Sequence, residues 1–254
     1  MDDELQKASM WKRISAFLFD GILFSVVAVL FALILSAALG YDGYNQTVRD
    51  CYAKYGEQFG VENMSLSTQE MEALSQEEKG RVNAAYEALN ADPEARHAYQ
   101  MMLSLSLVII SIGLLLAYLT MEFFIPLWLG NGQTLGKKIF GLALMRTDGV
   151  KISHVMLFIR TFLGKYVIET MIPVIILLLI LMGSLGLLGT VLLLLILVIE
   201  IAVMCTTPTR SLIHDLMAGT VAVDFASQMI FDTREAMIAY KEKAHAEMAA
   251  KQEY

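Results

Sequence analysis

"MIPVIILLLILMGSLGLLGTVLLLLILVIEIAVMCT", Met171–Thr206, is almost wholly apolar and is interrupted only by GSLGLLG and by Glu200. As one helix it would run ~54 Å at ~1.5 Å per residue. The hydrocarbon core of a bilayer is only ~30 Å thick, so a single helix would need an extreme tilt. Two spans turning at Gly183–Gly189 fit better, and the spacing predicts them at 166–184 and 187–206, with Lys165 reaching back to the interface along its aliphatic stem. Two more apolar runs stand upstream, Ile14–Leu39 and Met101–Trp128. The first is too long for the apolar region of a secretion signal and carries Asp20, so it reads as a retained span.

The rest of the composition agrees. Of 254 residues 56% are hydrophobic, mean hydropathy is +0.56, and net charge is -7. An ordinary globular domain is less apolar, and a negative chain is a poor partner for nucleic acid. The required partner is the lipid bilayer. Cys51 and Cys205 fall in segments predicted on opposite sides of the membrane, so no internal disulfide is expected. No Cys/His set has metal-ligand spacing, and no cofactor is expected. The fold class is an all-α membrane protein: a four-helix transmembrane bundle with a small cytoplasmic β-hairpin and a helical extracellular insertion.

Orientation follows from Lys and Arg in short flanking segments. Lys7, Lys12 and Arg13 precede the first span. Lys137, Lys138, Arg146 and Lys151 fill the connection after the second, and Arg210 follows the fourth. These segments are predicted inside, which puts both termini in the cytoplasm of a multi-pass protein of the cell membrane. The chain then divides into a first transmembrane helix at 8–40, an extracytoplasmic helical insertion at 41–100, the remainder of the membrane domain at 101–224, and a charged cytoplasmic C-terminal helix at 225–254. Within the insertion two helical pieces are expected, one capped by Ser67 or Thr68 and one starting at Asp92-Pro93. In the connection, Ile139–Met145 and Val150–Ser153 flank TDG, a hairpin turn signal. AGTVAVDF offers another strand, for a hairpin or a three-stranded patch. HVMLFIRTFLGKYV, with Arg160 and Lys165 among apolar residues, reads as an interfacial amphipathic helix.

Charges inside apolar runs are the candidate site. Seven positions at ~100° per residue bring Arg13 and Asp20 within about 20° of one direction. They stand ~10 Å apart along the axis, so each needs a partner on another element. An intramembrane carboxylate costs on the order of 3 kcal/mol on insertion scales. Asp20 should therefore face the bundle interior, beside a small-residue stripe of Gly21, Ser25, Ala28, Ala32 and Ser36 suited to close packing. NGQTLGKKIFGL does not follow Walker spacing. Its Gly136 and Gly141 suit tight backbone packing at the membrane surface. In RSLIHDLMAGT, His214-Asp215 has no nucleophile elbow with it, so a hydrolase, or any enzyme, is not expected. Asp215 can accept an arginine at the same membrane face. Arg13 and Arg160 are the candidates, and the expected pair is Arg13–Asp215.

Together, Arg13 at the start of the first helix, Asp20 within it, GQTLGKKIFGLALMRTDGVKIS followed by Arg160, and Asp215 in HDLMAGTVAVD resemble the RDD family of membrane proteins. The resemblance covers about 8–40, 101–165 and 200–224, while 45–98 departs from the short loop expected there. It implies a multi-pass membrane protein with a transport role. Some members are linked to sodium–proton exchange and a eukaryotic relative to assembly in protein degradation. Two functions are expected on this footing. One is transport of a monovalent cation or proton by a homo-oligomer, with Asp20 as the binding group and Glu122, Glu200 and His214 as secondary candidates. The other is a membrane scaffold or assembly factor, in which Arg13, Asp20, Arg160 and Asp215 form a buried ion network, and the insertion and C-terminal helix bind partner proteins.

Overall fold

The structure, a computed structural model, describes residues 8–252. Lys7, counted above for orientation, lies outside the described residues, as do Glu253 and Tyr254 at the end of the C-terminal segment. Two compact units divide the chain, one of residues 1–28 and 114–254 and one of 29–113. Helices α1 (Met10–Leu39) and α5 (Pro93–Leu129) contribute to both.

Four helices are long and apolar enough to cross a membrane: α1, α5, α7 (His154–Leu181) and α8 (Gly186–Thr206). Their exposure is inverted relative to a soluble protein. Phe17 on α1 is 70% exposed, whereas Asp20, about one turn on, is 8% exposed. Apolar side chains facing outward all along these helices are what lipid stabilises and water does not. The chain is therefore an all-α membrane protein. The long run resolves as predicted into two packed helices. α7 ends at Leu181, Gly183 takes a left-handed φ of 73°, and α8 starts at Gly186. One difference concerns the segment before it. The expected interfacial helix over 154–167 is continuous with the third span, the helix running from His154 to Leu181 through Pro173, which follows the π-helical stretch.

Two stretches of these helices are π-helical, Leu119–Phe124 in α5 and Arg160–Met171 in α7. Hydrogen bonds from i to i+5 widen the turn, and such segments concentrate at functional sites. In an α-helix residues five apart diverge by ~140°. The wider π turn brings Arg160 and Lys165 toward one side.

In the first unit a small antiparallel sheet lies beyond the spans. β1 (Leu142–Arg146) pairs with β2 (Thr220–Asp224), with Leu144 opposite Ala222. The predicted turn at TDG forms, with Gly149 N–H donating to Arg146 O (3.0 Å) and Asp148 accepting from Arg146 (2.6 Å). It is followed by a single bridge, Met145 to Lys151, and a second bridge joins Val150 to Phe231. The longer ladder belongs to β2, because both faces of β1 are buried. Leu142 packs against Ala8 and Ala16, while Ala143 and Met145 pack with Val221 and Val223. Short helices α6 (Leu135–Ile139) and α9 (Ile213–Ala218) precede the two strands, and α10 (Arg234–Gln252) is the C-terminal helix.

The second unit is helical. α2 (Tyr41–Phe59) packs on α4 (Gln76–Ala91) around Cys51, Tyr55, Ala85 and Leu89. Ser67 caps α3 (Thr68–Ala73), and Ser75 caps α4, each with a glutamate three residues on returning a hydrogen bond. Such a capping box satisfies two orphan N–H groups at once. α5 starts at Pro93 with Asp92 accepting from Glu94 N–H (2.8 Å), as its Asp-Pro sequence predicts.

Candidate functional site

The membrane-surface end of the first unit holds a buried charge cluster built from five elements. Asp20 of α1 comes first. Its carboxylate accepts from the Thr134 hydroxyl (2.5 Å) and from Gly136 N–H (2.7 Å). The partner predicted on another element is thus the GQTLGKK segment, and it supplies neutral donors in place of a cation. Gly136 makes this possible by having no side chain. A Cβ there would meet the Ala16 carbonyl at 2.5 Å and the Asp20 carboxylate at 2.8 Å. Gly141 differs from the expectation of tight packing. Open space surrounds it, and its φ of +66° is what requires glycine. Gly21 likewise faces open space, so the small-residue stripe does not close against a neighbour there.

Glu122, on the π segment of α5, is 8% exposed and meets three cations. Lys165 Nζ lies 2.5 Å away, Arg160 Nη1 3.5 Å and Lys137 Nζ 3.7 Å. Arg160, 3% exposed, also donates from Nε to Asp215 (2.9 Å) and from Nη2 to His214 Nε2 (2.8 Å). Arginine has no acceptor, so Nε2 must accept and the proton sits on Nδ1. That nitrogen lies 2.7 Å from Glu169, which also accepts from His214 N–H (2.9 Å). Thr220 Oγ1 donates to Asp215 (3.0 Å). Gly164 lets α9 approach α7 this closely, since a Cβ there would meet His214 Cβ at 2.5 Å.

The expected Arg13–Asp215 ion pair does not form. Arg160 takes Asp215, while Arg13 is spent on backbone carbonyls. Its Nη1 reaches Thr209 O (3.3 Å) and Arg210 O (3.0 Å), and its Nη2 reaches Ala222 O (2.6 Å). The reason is geometric. Arg160 lies on the helix packed directly against α9, whereas Arg13 faces the segment between α8 and α9. Glu200, a secondary candidate, makes no side-chain hydrogen bond or ion pair among the described residues; Glu169 is its like-charged neighbour.

Electrostatics outside the spans follow from these contacts. Burial alone would raise the Asp215 carboxyl; Arg160 and His214 overcome it and hold it well below the usual carboxylate range. Burial pushes His214 down, helped by Arg160 and opposed by Asp215 and Glu169, so it is neutral near pH 7. Burial also pushes the Lys137 ammonium down to about 8. Lys165 and Arg160 act in the same direction, and Glu122 and Asp20 oppose them.

Sequence reasoning placed Asp20, Glu122, Arg160, His214 and Asp215 in the site and missed Thr134, Lys137, Lys165 and Glu169. Lys137 and Lys165 were read only as interface charges. Lys165 and Glu169 stand four apart inside an apolar run, a one-face spacing that could have revealed both. A cavity of about 270 Å³ opens beside the cluster, lined by Arg13, Asp20, Glu122, Lys137, Arg160 and Asp215 among others.

No curated protein and no solved structure matches this chain. The model of the RDD family matches residues 7–219, from before the start of α1 through α9 and thus across every charged residue of the cluster. With most of its length matched, the chain belongs to the RDD family.

Proposed function

We propose that this RDD-family membrane protein exchanges a monovalent cation for a proton at the Glu122–Lys137 pair, without covalent chemistry. The observation that carries the reading is one buried carboxylate serving three cations, with Lys137 held at the longest distance, 3.7 Å. Positive charge is in excess at Glu122, so the most weakly held proton is the one to leave. Lys137 releases it to water in the adjoining cavity as pH rises through about 8. With the amine neutral, the carboxylates of the whole cluster (Asp20, Glu122, Glu169 and Asp215) outnumber Arg13, Arg160 and Lys165 by one, and a monovalent cation balances that charge. One proton leaves and one cation enters, so the net buried charge is unchanged, and the cavity's carboxylates and water offset the cation's own desolvation.

Asp20 in this account is an anchor. Its two hydrogen bonds hold the segment bearing Lys137 against α1. Four spans per chain favour a homo-oligomer as the working unit, with both termini on the cytoplasmic side of the cell membrane, as the Lys/Arg distribution supports. A second reading, the scaffold, is favoured by the saturation of Asp215, His214 and Glu169 with mutual contacts. In it the cluster fixes α5, α7 and α9 in register and nothing moves.

Purified protein in liposomes, with sodium or potassium gradients and a pH-sensitive dye inside, separates the two. Exchange predicts lumenal pH change in wild type that Glu122→Gln abolishes. Absence of flux for every monovalent cation tested would leave the scaffold.

A further inference from the structure

Arg13 carries a donor that nothing among the described residues uses. Arginine has five N–H groups; those given above to Thr209, Arg210 and Ala222 leave Nε and one hydrogen of Nη2. Nε is buried and has no partner, which is true of no other buried side-chain nitrogen or oxygen among the described residues. Buried donors are almost always satisfied. The Arg210 guanidinium lies near enough to repel that of Arg13, and Arg210 makes no ion pair among the described residues. Asp215 attracts Arg13 from beyond ion-pair distance but is already bonded to Arg160. Two adjacent guanidiniums therefore share no carboxylate of their own. Both line the cavity, together with Ile14, Phe17, Met204 and Leu212.

Their place in the fold selects the ligand. Arg13 is near the first residue of the first span, and Arg210 follows the last residue of the fourth, Thr206. The pair thus stands at the end of the apolar helices, where lipid headgroups lie. Exposed Ile14 and Phe17 continue from it along the outward face of α1.

We infer that Arg13 and Arg210 bind the phosphate of an anionic membrane lipid, whose chains lie along the apolar face of α1. Guanidinium forks match phosphate oxygens in geometry and charge. With a turn of the Arg13 side chain toward the cavity, the phosphate accepts from the unpaired Nε, and its charge relieves the repulsion between the two arginines. The site shares its cavity with the Glu122–Lys137 pair but uses other side chains, and its test does not depend on exchange.

The test uses the full chain in neutral detergent. Thermal unfolding is followed while a short-chain phosphatidic acid or phosphatidylglycerol is added. Matched phosphatidylcholine and inorganic phosphate serve as the other arms. A saturable rise in Tm with the anionic lipids, absent with phosphatidylcholine and with phosphate alone, is expected. Arg13→Gln should abolish it. Should that variant fail to fold, Arg210→Gln, which changes an exposed side chain and removes the repulsion, should weaken the apparent affinity at least tenfold while the lipid-free Tm does not fall. Equal stabilisation by phosphatidylcholine, or an Arg210→Gln titration identical to wild type, overturns the inference. A full shift with inorganic phosphate alone assigns the site to a free anion and overturns the lipid.

Discussion

Replacing Arg160 by methionine removes the charge and keeps most of the volume. In the native protein this guanidinium satisfies Asp215, Glu122 and His214 at once from a site 3% exposed. The losses are unequal. Glu122 keeps Lys165 at 2.5 Å, so little of the cost arises there. Asp215 keeps only the Thr220 hydroxyl, since His214 Nε2 at 3.5 Å carries no proton to donate. A buried carboxylate stripped of its cation costs about 3–5 kcal/mol. Asp215→Asn is milder, about 1–3 kcal/mol, because Arg160 retains Glu122 and His214. Removing both charges leaves neither uncompensated, so Arg160→Met with Asp215→Asn should lose less than the sum of the single changes, with a coupling of about 1–3 kcal/mol. The assay is denaturant or thermal unfolding of the full chain in detergent, for wild type, both single variants and the double. Arg160→Met within about 0.5 kcal/mol of wild type, or strict additivity, would refute the reasoning.

Gly136→Ala should destabilise by roughly 1–3 kcal/mol, since the new methyl meets the Ala16 carbonyl, and unfolding in detergent reads it. Asp20→Ala should cost roughly 2–4 kcal/mol by leaving the Thr134 hydroxyl and Gly136 N–H buried without an acceptor, whereas Asp20→Asn keeps one acceptor and costs less. Lys165→Met should be strongly destabilising, whereas Lys137→Met should be more stable than wild type below about pH 8, because the native state holds the Lys137 proton less tightly than the unfolded chain does. The sign is fixed by the lowered value. Below about 8 protonated Lys137 costs stability, and that cost is relieved as pH rises from about 8 toward the ordinary lysine value. A pH series on Lys137→Met against wild type checks it: the stability gap should shrink across that window.

The apolar runs made the spans legible, because length against bilayer thickness decides between one helix and two. The capping serine at Ser67 and the Asp92-Pro93 start were equally local and equally legible. What escaped the sequence was set by long-range packing. Arg13 and Arg160 were chemically equivalent partners for Asp215, and only the docking of α9 on α7 chose between them. The pairing of β1 with β2 joins segments far apart in the chain, so the TDG turn signal was the stronger local clue. π-helical turns have no marker in composition, yet they set which face Arg160 and Lys165 share. Lys137 read as one of several interface lysines, and its burial beside Glu122 is a property of the fold alone.

Cation flux by a Lys137→Arg variant in liposomes tests the exchange most directly. Arginine keeps the positive charge and does not release a proton at any working pH. The account predicts wild-type exchange that switches on as pH rises through about 8. It predicts a folded Lys137→Arg protein with no exchange across the same range, and a Lys137→Gln protein whose cation flux no longer moves protons. Lys137→Arg exchanging cation for proton at the wild-type rate, with the same pH profile, would contradict it.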